Sequence, residues 1–269
     1  MMIAGTTQGA KFVQGEATAA EIIRPEGKAS VVLVCEHASN AIPAEYGDLG
    51  LDAAARTSHV AWDIGARDVA VALSELLDAP LVAGRLSRLL YDLNRPCEVA
   101  SAVPETSEVF DVPGNRGLSE AQRLARCRDI HDPFHAALTR QVDRAVAQAP
   151  GPVRLVTVHS FTPVYMGRER AVEIGFLHDA DDSLARAALE VETRKGAYVT
   201  ALNEPYSAAD GVTYTLAKHG EARGLTSLMI EIRNDLVATP EQARAMARHL
   251  ADTLRSALSG APARREATG

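Results

Sequence analysis

The segment Val31–Cys35 (VVLVC) is an unbroken apolar run followed at once by Glu36 and His37. A run that short, rich in β-branched residues and without polar alternation, suits a strand covered on both faces, as in parallel sheets held between helices. The pattern recurs at Leu81–Ala83, Leu89–Leu93, Val153–Val158, Glu173–Leu177, Tyr198–Leu202 and Leu225–Ile232. Amphipathic stretches separate these runs. Thr57 or Ser58 can cap a helix carried by Val60, Ile64, Val71 and Leu76 to about Asp78. Ser119–Gln148 reads as helix interrupted by Pro133, and Asp182 can cap a helix that Gly196 ends. Thr239-Pro240-Glu241-Gln242 opens the last helix with an N-cap, a Pro at the first helical position and a Gln placed for a capping box. This alternation predicts an α/β domain with a mixed, largely parallel sheet between helix layers. We place the domain at 26–258, between a flexible segment at 1–25 and a tail at 259–269.

Composition narrows the function. Of 269 residues, 46% are hydrophobic, enough for a large core. With 28 basic against 35 acidic residues the chain carries −7, which argues against a nucleic-acid partner. Cys35, Cys97 and Cys127 have an odd count and no CxxC spacing, so we expect no disulfide framework and a reducing compartment. The N-terminus lacks the apolar run of a signal peptide, and no stretch is long enough to cross a bilayer. The expectation is a cytoplasmic protein without a membrane partner; no pattern here specifies an oligomeric state. Residues 96–118 form a long Pro/Gly-rich connection, which reads as a lid or binding loop or else as a disordered linker.

Polar residues collect after the apolar runs: Glu36-His37, Asn94-Arg95, His159-Ser160, Asn203 to Tyr206, and Glu231 with Arg233. Parallel strands would bring them to one rim, where open α/β sheets bind ligands. His37 and His159 suit a divalent metal, and a hydrolytic zinc site needs a third ligand. We take Asp63 for that ligand over Glu36, because neighbours on an extended strand point to opposite faces. Asp63 also shares a helix face with His59, a candidate outer partner; otherwise it is a solvated helix carboxylate. His131 and His135 have helical metal-pair spacing, but Pro133 between them favours a helix-start or packing role. His178, His219 and His249 read as surface residues. Arg88 and Arg95, flanking Asn94, form a candidate clamp for a carboxylate, whereas Arg85 suits a surface salt bridge. Glu231, set in LMIEIR, should have a raised pKa and could act as a general base; a buried ion pair with Arg233 or another arginine is the alternative. Cys35 with His37 could be a nucleophile pair, although a cysteine closing an apolar strand more often packs as a small hydrophobe.

VVLVCEHASNAIP, SHVAWDIGA, SRLLYDLNRP, VHSFTP, NEPYS with a downstream YT, and IEIRNDL occur in this order. Together they resemble the N-formylglutamate amidohydrolase family over about residues 30–258. The resemblance implies a three-layer α/β/α sandwich similar to the zinc carboxypeptidases and aspartoacylases. It implies one zinc ion on His37 and His159, with Glu231 as the base. The DLNR segment is similar to a substrate-binding segment of aspartoacylases, which implicates Asn94 and Arg95 in holding the substrate or its developing oxyanion. We expect Arg95 to take the oxyanion as a catalytic residue and Arg88 to anchor the substrate; Asn203 and Tyr206 complete the expected substrate contacts. Carboxypeptidases use a His-x-x-Glu metal pair, whereas Asn40 stands three residues after His37 here, so the third ligand comes from elsewhere. The implied activity is hydrolysis of an N-formyl or other N-acyl acidic amino acid. A carboxylate-binding protein without turnover is the alternative of a different class.

Overall fold

The structure, a computed structural model, describes residues 19–260. Residues 1–18 of the expected flexible segment, and the expected tail from 261 onward, lie outside the described residues. In chain order the elements are β1 (Ala20–Ile23), β2 (Val31–Cys35), α1 (Ala53–Thr57), α2 (Ala66–Leu77) and β3 (Leu81–Gly84). A small hairpin, β4 (Thr106–Ser107) and β5 (Phe110–Asp111), precedes α3 (Glu120–Arg126) and α4 (Asp132–Gln148). Then come β6 (Arg154–Phe161), the hairpin β7 (Val164–Tyr165) and β8 (Arg168–Glu169), β9 (Ile174–Leu177) and α5 (Ser183–Lys195). The series closes with β10 (Thr200–Leu202), β11 (Thr226–Arg233) and α6 (Pro240–Gly260).

Seven strands form one sheet in the order β1-β3-β2-β6-β11-β9-β10. The pairs from β3 through β2 and β6 to β11 are parallel, as is β9 with β10; β1 on β3 and β9 on β11 are antiparallel. β1 lies inside the segment expected to be flexible and forms a sheet edge. Alternation along each strand feeds two cores. Leu33, Val158, Ile230 and Ile232 face α2, α5 and α6, while Val32, Val34 and Leu155 face α4. The result is the expected three-layer α/β/α sandwich. The final helix has the capping box read from the sequence: Gln242 N–H donates to Thr239 Oγ1 at 3.3 Å, and Thr239 N–H to Gln242 Oε1 at 3.0 Å.

Three expectations need correction. Leu89–Leu93 is not a strand. Its apolar side chains are buried as a strand's would be, but the backbone turns at Ser87. The Asn115 amide caps the Leu89 carbonyl at 2.8 Å and Arg126 caps that of Leu90 at 3.1 Å, so no sheet partner is needed. The helix expected from Ser58 begins only at Ala66. Ahead of it, Asp63 N–H donates to His37 O, and Ala61 O accepts from Ser87 Oγ and Arg88 N–H. Gly65 adopts φ +78°, and a Cβ there would lie 2.2 Å from the Val237 carbonyl oxygen. The turn at 58–65 thus depends on a glycine.

The third correction concerns the cysteines. Cys97 and Cys127 form a disulfide with a Cα–Cα separation of 5.8 Å, which removes the ground for expecting a reducing compartment. Thirty residues separate the pair in sequence, and no local motif announces it. Among the described residues, no helix is long and apolar enough to cross a membrane.

Candidate active site

β2, β6 and β11 deliver the first three groups to one pocket. His37 sits in the turn just after β2, while His159 and Glu231 lie near the C-terminal ends of β6 and β11. The turn at 58–65 brings Asp63 between the histidines. Asp63 Oδ2 lies 2.8 Å from His159 Nδ1 and 3.4 Å from His37 Nδ1. All three residues are buried, and their donor atoms lie within 4.8 Å of one another. The ring nitrogens facing away are also held by carboxylates. His37 Nε2 is 2.7 Å from Asp92 Oδ1, and His159 Nε2 is 3.1 Å from Glu36 Oε2. Metal-ligating histidines characteristically carry such outer carboxylates.

Glu36 therefore reaches the site through His159 rather than as a member of the three-residue group. The turn after β2 makes this possible despite its adjacency to His37. Burial works to raise the Glu36 pKa, but the neighbouring His159 holds it below the ordinary carboxylate value. Asp63 follows the same logic: burial opposes its charge, and His37 and His159 overcome that and lower its pKa. Burial would make both imidazoles less basic; Glu36 and Asp63 raise the His159 pKa well above the usual value, and Asp92 and Asp63 raise that of His37.

Glu231 behaves oppositely. It is 5% exposed, and burial, aided by the negative charge of Asp63, lifts its pKa to about 7 against the pull of His159, Arg88 and His37. Among the described residues its Oε2 has no hydrogen-bond partner. The ion pair considered with Arg233 is absent: Arg233 meets Glu173 at 3.4 Å and Asp235 at 2.9 Å.

The arginine segment divides. Arg88 bridges Asp63 Oδ1 at 3.3 Å and Asp92 Oδ2 at 2.9 Å. Arg95 stands half-buried in the same pocket and donates to Asp210 O at 2.9 Å. Arg85 is exposed and does not line the pocket. Asn94 lines it, yet its side chain is bound to the backbone of another loop, donating to Val212 O and accepting from Thr215 N–H. Tyr206 lines the pocket, its hydroxyl pKa pushed up to about 12 chiefly by burial. Asn203 does not. Its amide joins the ends of β9 and β10 by accepting from His178 N–H at 3.1 Å and meeting His178 Nε2 at 3.0 Å.

The connection at 96–118 supplies a wall of the pocket through Thr106, Ser107 and Glu108. His59, expected to orient Asp63, instead meets Glu108 Oε1 at 2.8 Å. Cys35 is fully buried with its side chain in the core on the α2 side, where it packs as a small hydrophobe, and burial raises its thiol pKa well above normal. His178 and His249 are half-buried, His178 Nδ1 meeting Asp179 O at 2.8 Å and His249 meeting Glu192 at 2.7 Å. His219 is 2% exposed and stacks on His135, with 2.8 Å between His219 Nε2 and His135 Nδ1.

Sequence reading missed Asp92 as the partner of His37, although it lies inside the DLNR motif. It also missed Arg170, whose guanidinium lies 4.5 Å and 4.8 Å from the ring centroids of Tyr165 and Tyr206. No local pattern flags that stack.

The family model for N-formylglutamate amidohydrolase matches residues 29–238. The crystal structure of a gene product from Agrobacterium tumefaciens is similar at 47% identity and a TM-score of 0.87, covering 92% of this chain and 98% of that one. A crystal structure of N-formylglutamate amidohydrolase from Ralstonia eutropha is similar at 23% identity and a TM-score of 0.62, covering 90% and 98%. At that identity the likeness concerns the fold. No curated protein matches the sequence.

Proposed function

The chain belongs to the N-formylglutamate amidohydrolase family, hydrolases of a linear amide bond, and on that premise we propose that it removes the N-formyl or a related N-acyl group from a small acidic amino acid such as N-formylglutamate. Zinc would be held by His37, Asp63 and His159, with Glu231 as the base. The observation that carries this reading is the convergence of both Nδ1 atoms on one oxygen of Asp63, while each Nε2 faces a separate carboxylate. Two nitrogens and one carboxylate are a donor set suited to catalytic zinc. When bound, zinc supplies a Lewis acid that polarises the scissile carbonyl and acidifies water.

The remaining steps belong to the chain's own residues. Glu231 takes a proton from the attacking water and hands it to the departing amine nitrogen, leaving formate and the free amino acid. Its unpartnered oxygen and near-neutral pKa fit both transfers. Arg88 contacts Asp63 of the proposed ligand set, whereas Arg95 contacts the backbone of the loop at Asp210. We therefore give Arg88 the developing oxyanion, and give Arg95 and Tyr206 the substrate carboxylates, reversing the emphasis drawn from the sequence. Asn94 positions the loop at 212–215 behind them. A cytoplasmic location would keep Cys97 and Cys127 as thiols.

Metal analysis of the disulfide-bonded protein tests this reading. His37→Ala and His159→Ala should each remove most of the zinc, because chelation needs the full ligand set. Wild-type zinc content in the double variant would overturn it. A panel of N-acyl amino acids separates enzyme from binding protein: binding without release of free amine would favour the latter.

A further inference from the structure

A second mixed cluster of metal-binding side chains lies apart from the pocket, where the segment after Arg95 meets the junction of α3 and α4. It consists of Cys97, Cys127, His131 and Asp132. We propose that when the two cysteines are thiols, these four residues bind a zinc ion at a tetrahedral site distinct from the catalytic cluster.

The two sulfurs, bonded to each other in the oxidised protein, would part on reduction, and the remaining sulfur contacts are close to tetrahedral spacing. Cys97 Sγ lies 3.5 Å and Cys127 Sγ 3.8 Å from His131 Nδ1, and Cys127 Sγ lies 3.7 Å from Asp132 Oδ1. Zinc bonds of about 2.3 Å to sulfur and about 2.0–2.1 Å to nitrogen, at the tetrahedral angle, separate such ligands by about 3.6 Å. His131 Nδ1 and Asp132 Oδ1 are closer, at 2.8 Å, but the Asp132 side chain is exposed and free to swing outward. One π-helical turn, Cys127–His131, creates the arrangement by setting Cys127 and His131 on one face.

The surroundings favour a ligand role for His131. Its Nε2 is 3.0 Å from the Tyr214 hydroxyl, which also accepts from Lys218 Nζ at 2.8 Å. The ring is thus oriented with Nδ1 toward the sulfurs, as outer hydrogen bonds orient metal-bound histidines. Exposed Asp132 leaves an entry path, and two thiolates select zinc over magnesium or calcium.

The disulfide must first be reduced. A water-soluble phosphine does this by taking oxygen from water to become the phosphine oxide, its two electrons and the two water protons converting the disulfide into two thiols. Zinc binding then displaces both thiol protons. The test is cobalt(II) loading after the phosphine is removed under argon, with oxidised protein alongside. Reduced protein should take up about one more ion per chain than oxidised protein and gain the near-ultraviolet charge-transfer band of cobalt–thiolate bonds. Cys127→Ser and His131→Gln should each lose the extra ion, whereas reduced His37→Ala should keep the thiolate band. Comparing reduced with oxidised wild-type protein needs no variant to fold. Reduced protein with titratable thiols but no thiolate band overturns the proposal, as does a band that survives in Cys127→Ser.

Discussion

Glu231 stands beside His159 in the parallel register of β6 and β11, and both side chains enter the same pocket. The apolar neighbours Ile230 and Ile232 face the opposite core, so the period of the strand alone turns Glu231 toward the site. Glu231→Gln is nearly isosteric and removes the capacity to carry a proton. It should lower kcat by about 10²–10⁴-fold while bound zinc stays at the wild-type level. Steady-state kinetics with metal analysis decide this, and an undiminished kcat would strip Glu231 of its role in proton transfer.

Arg88 and Arg95 should fail differently. Arg88→Lys replaces a planar fork that joins Asp63 and Asp92 by a single point charge. Its kcat should fall about 10²–10³-fold, the scale of one lost oxyanion donor. Arg95→Lys should raise KM with little change in kcat, since ground and transition states lose the same contact. The opposite split between the two variants would return the oxyanion to Arg95.

How much of this could be read from the sequence depends on distance along the chain. The strand at Val31–Cys35, the paired strands that end near His159 and Glu231, and the capping box at Thr239 were legible because their signals are local. The ligand candidates followed, since strand ends gather at one rim. Leu89–Leu93 misled because an apolar run reports burial, not pairing; its carbonyls are met by Asn115 and Arg126, which lie far along the chain. Val60 and Ile64 suggested a helix through the turn at 58–65 for the same reason. The His135–His219 stack joins residues 84 apart, and the outer role of Asp92 needs the turn after β2. Neither leaves a trace in spacing.

That stack has a consequence for acid stability. Burial, with Lys218 and Arg223 nearby, pushes the His219 pKa down to about 4. Unfolded, the same group titrates near ~6.5. Between those values the unfolded chain binds more protons, so stability from this residue is fully present above about pH 6.5 and falls as pH drops toward 4, by up to about 3 kcal/mol. Urea midpoints should therefore decline between about pH 7 and pH 5. His219→Gln, whose amide can still face His135, should show a shallower decline, and an equal slope in both proteins would contradict this account.

The central claim is that His37, Asp63 and His159 hold a metal without which the amide is not cleaved. Formate release from N-formylglutamate, followed as zinc is titrated into chelator-stripped, disulfide-bonded protein, tests it most directly. Activity should be near zero before addition and rise to a plateau at about one zinc per chain. Full formate release by the stripped protein, with no zinc added, would contradict it.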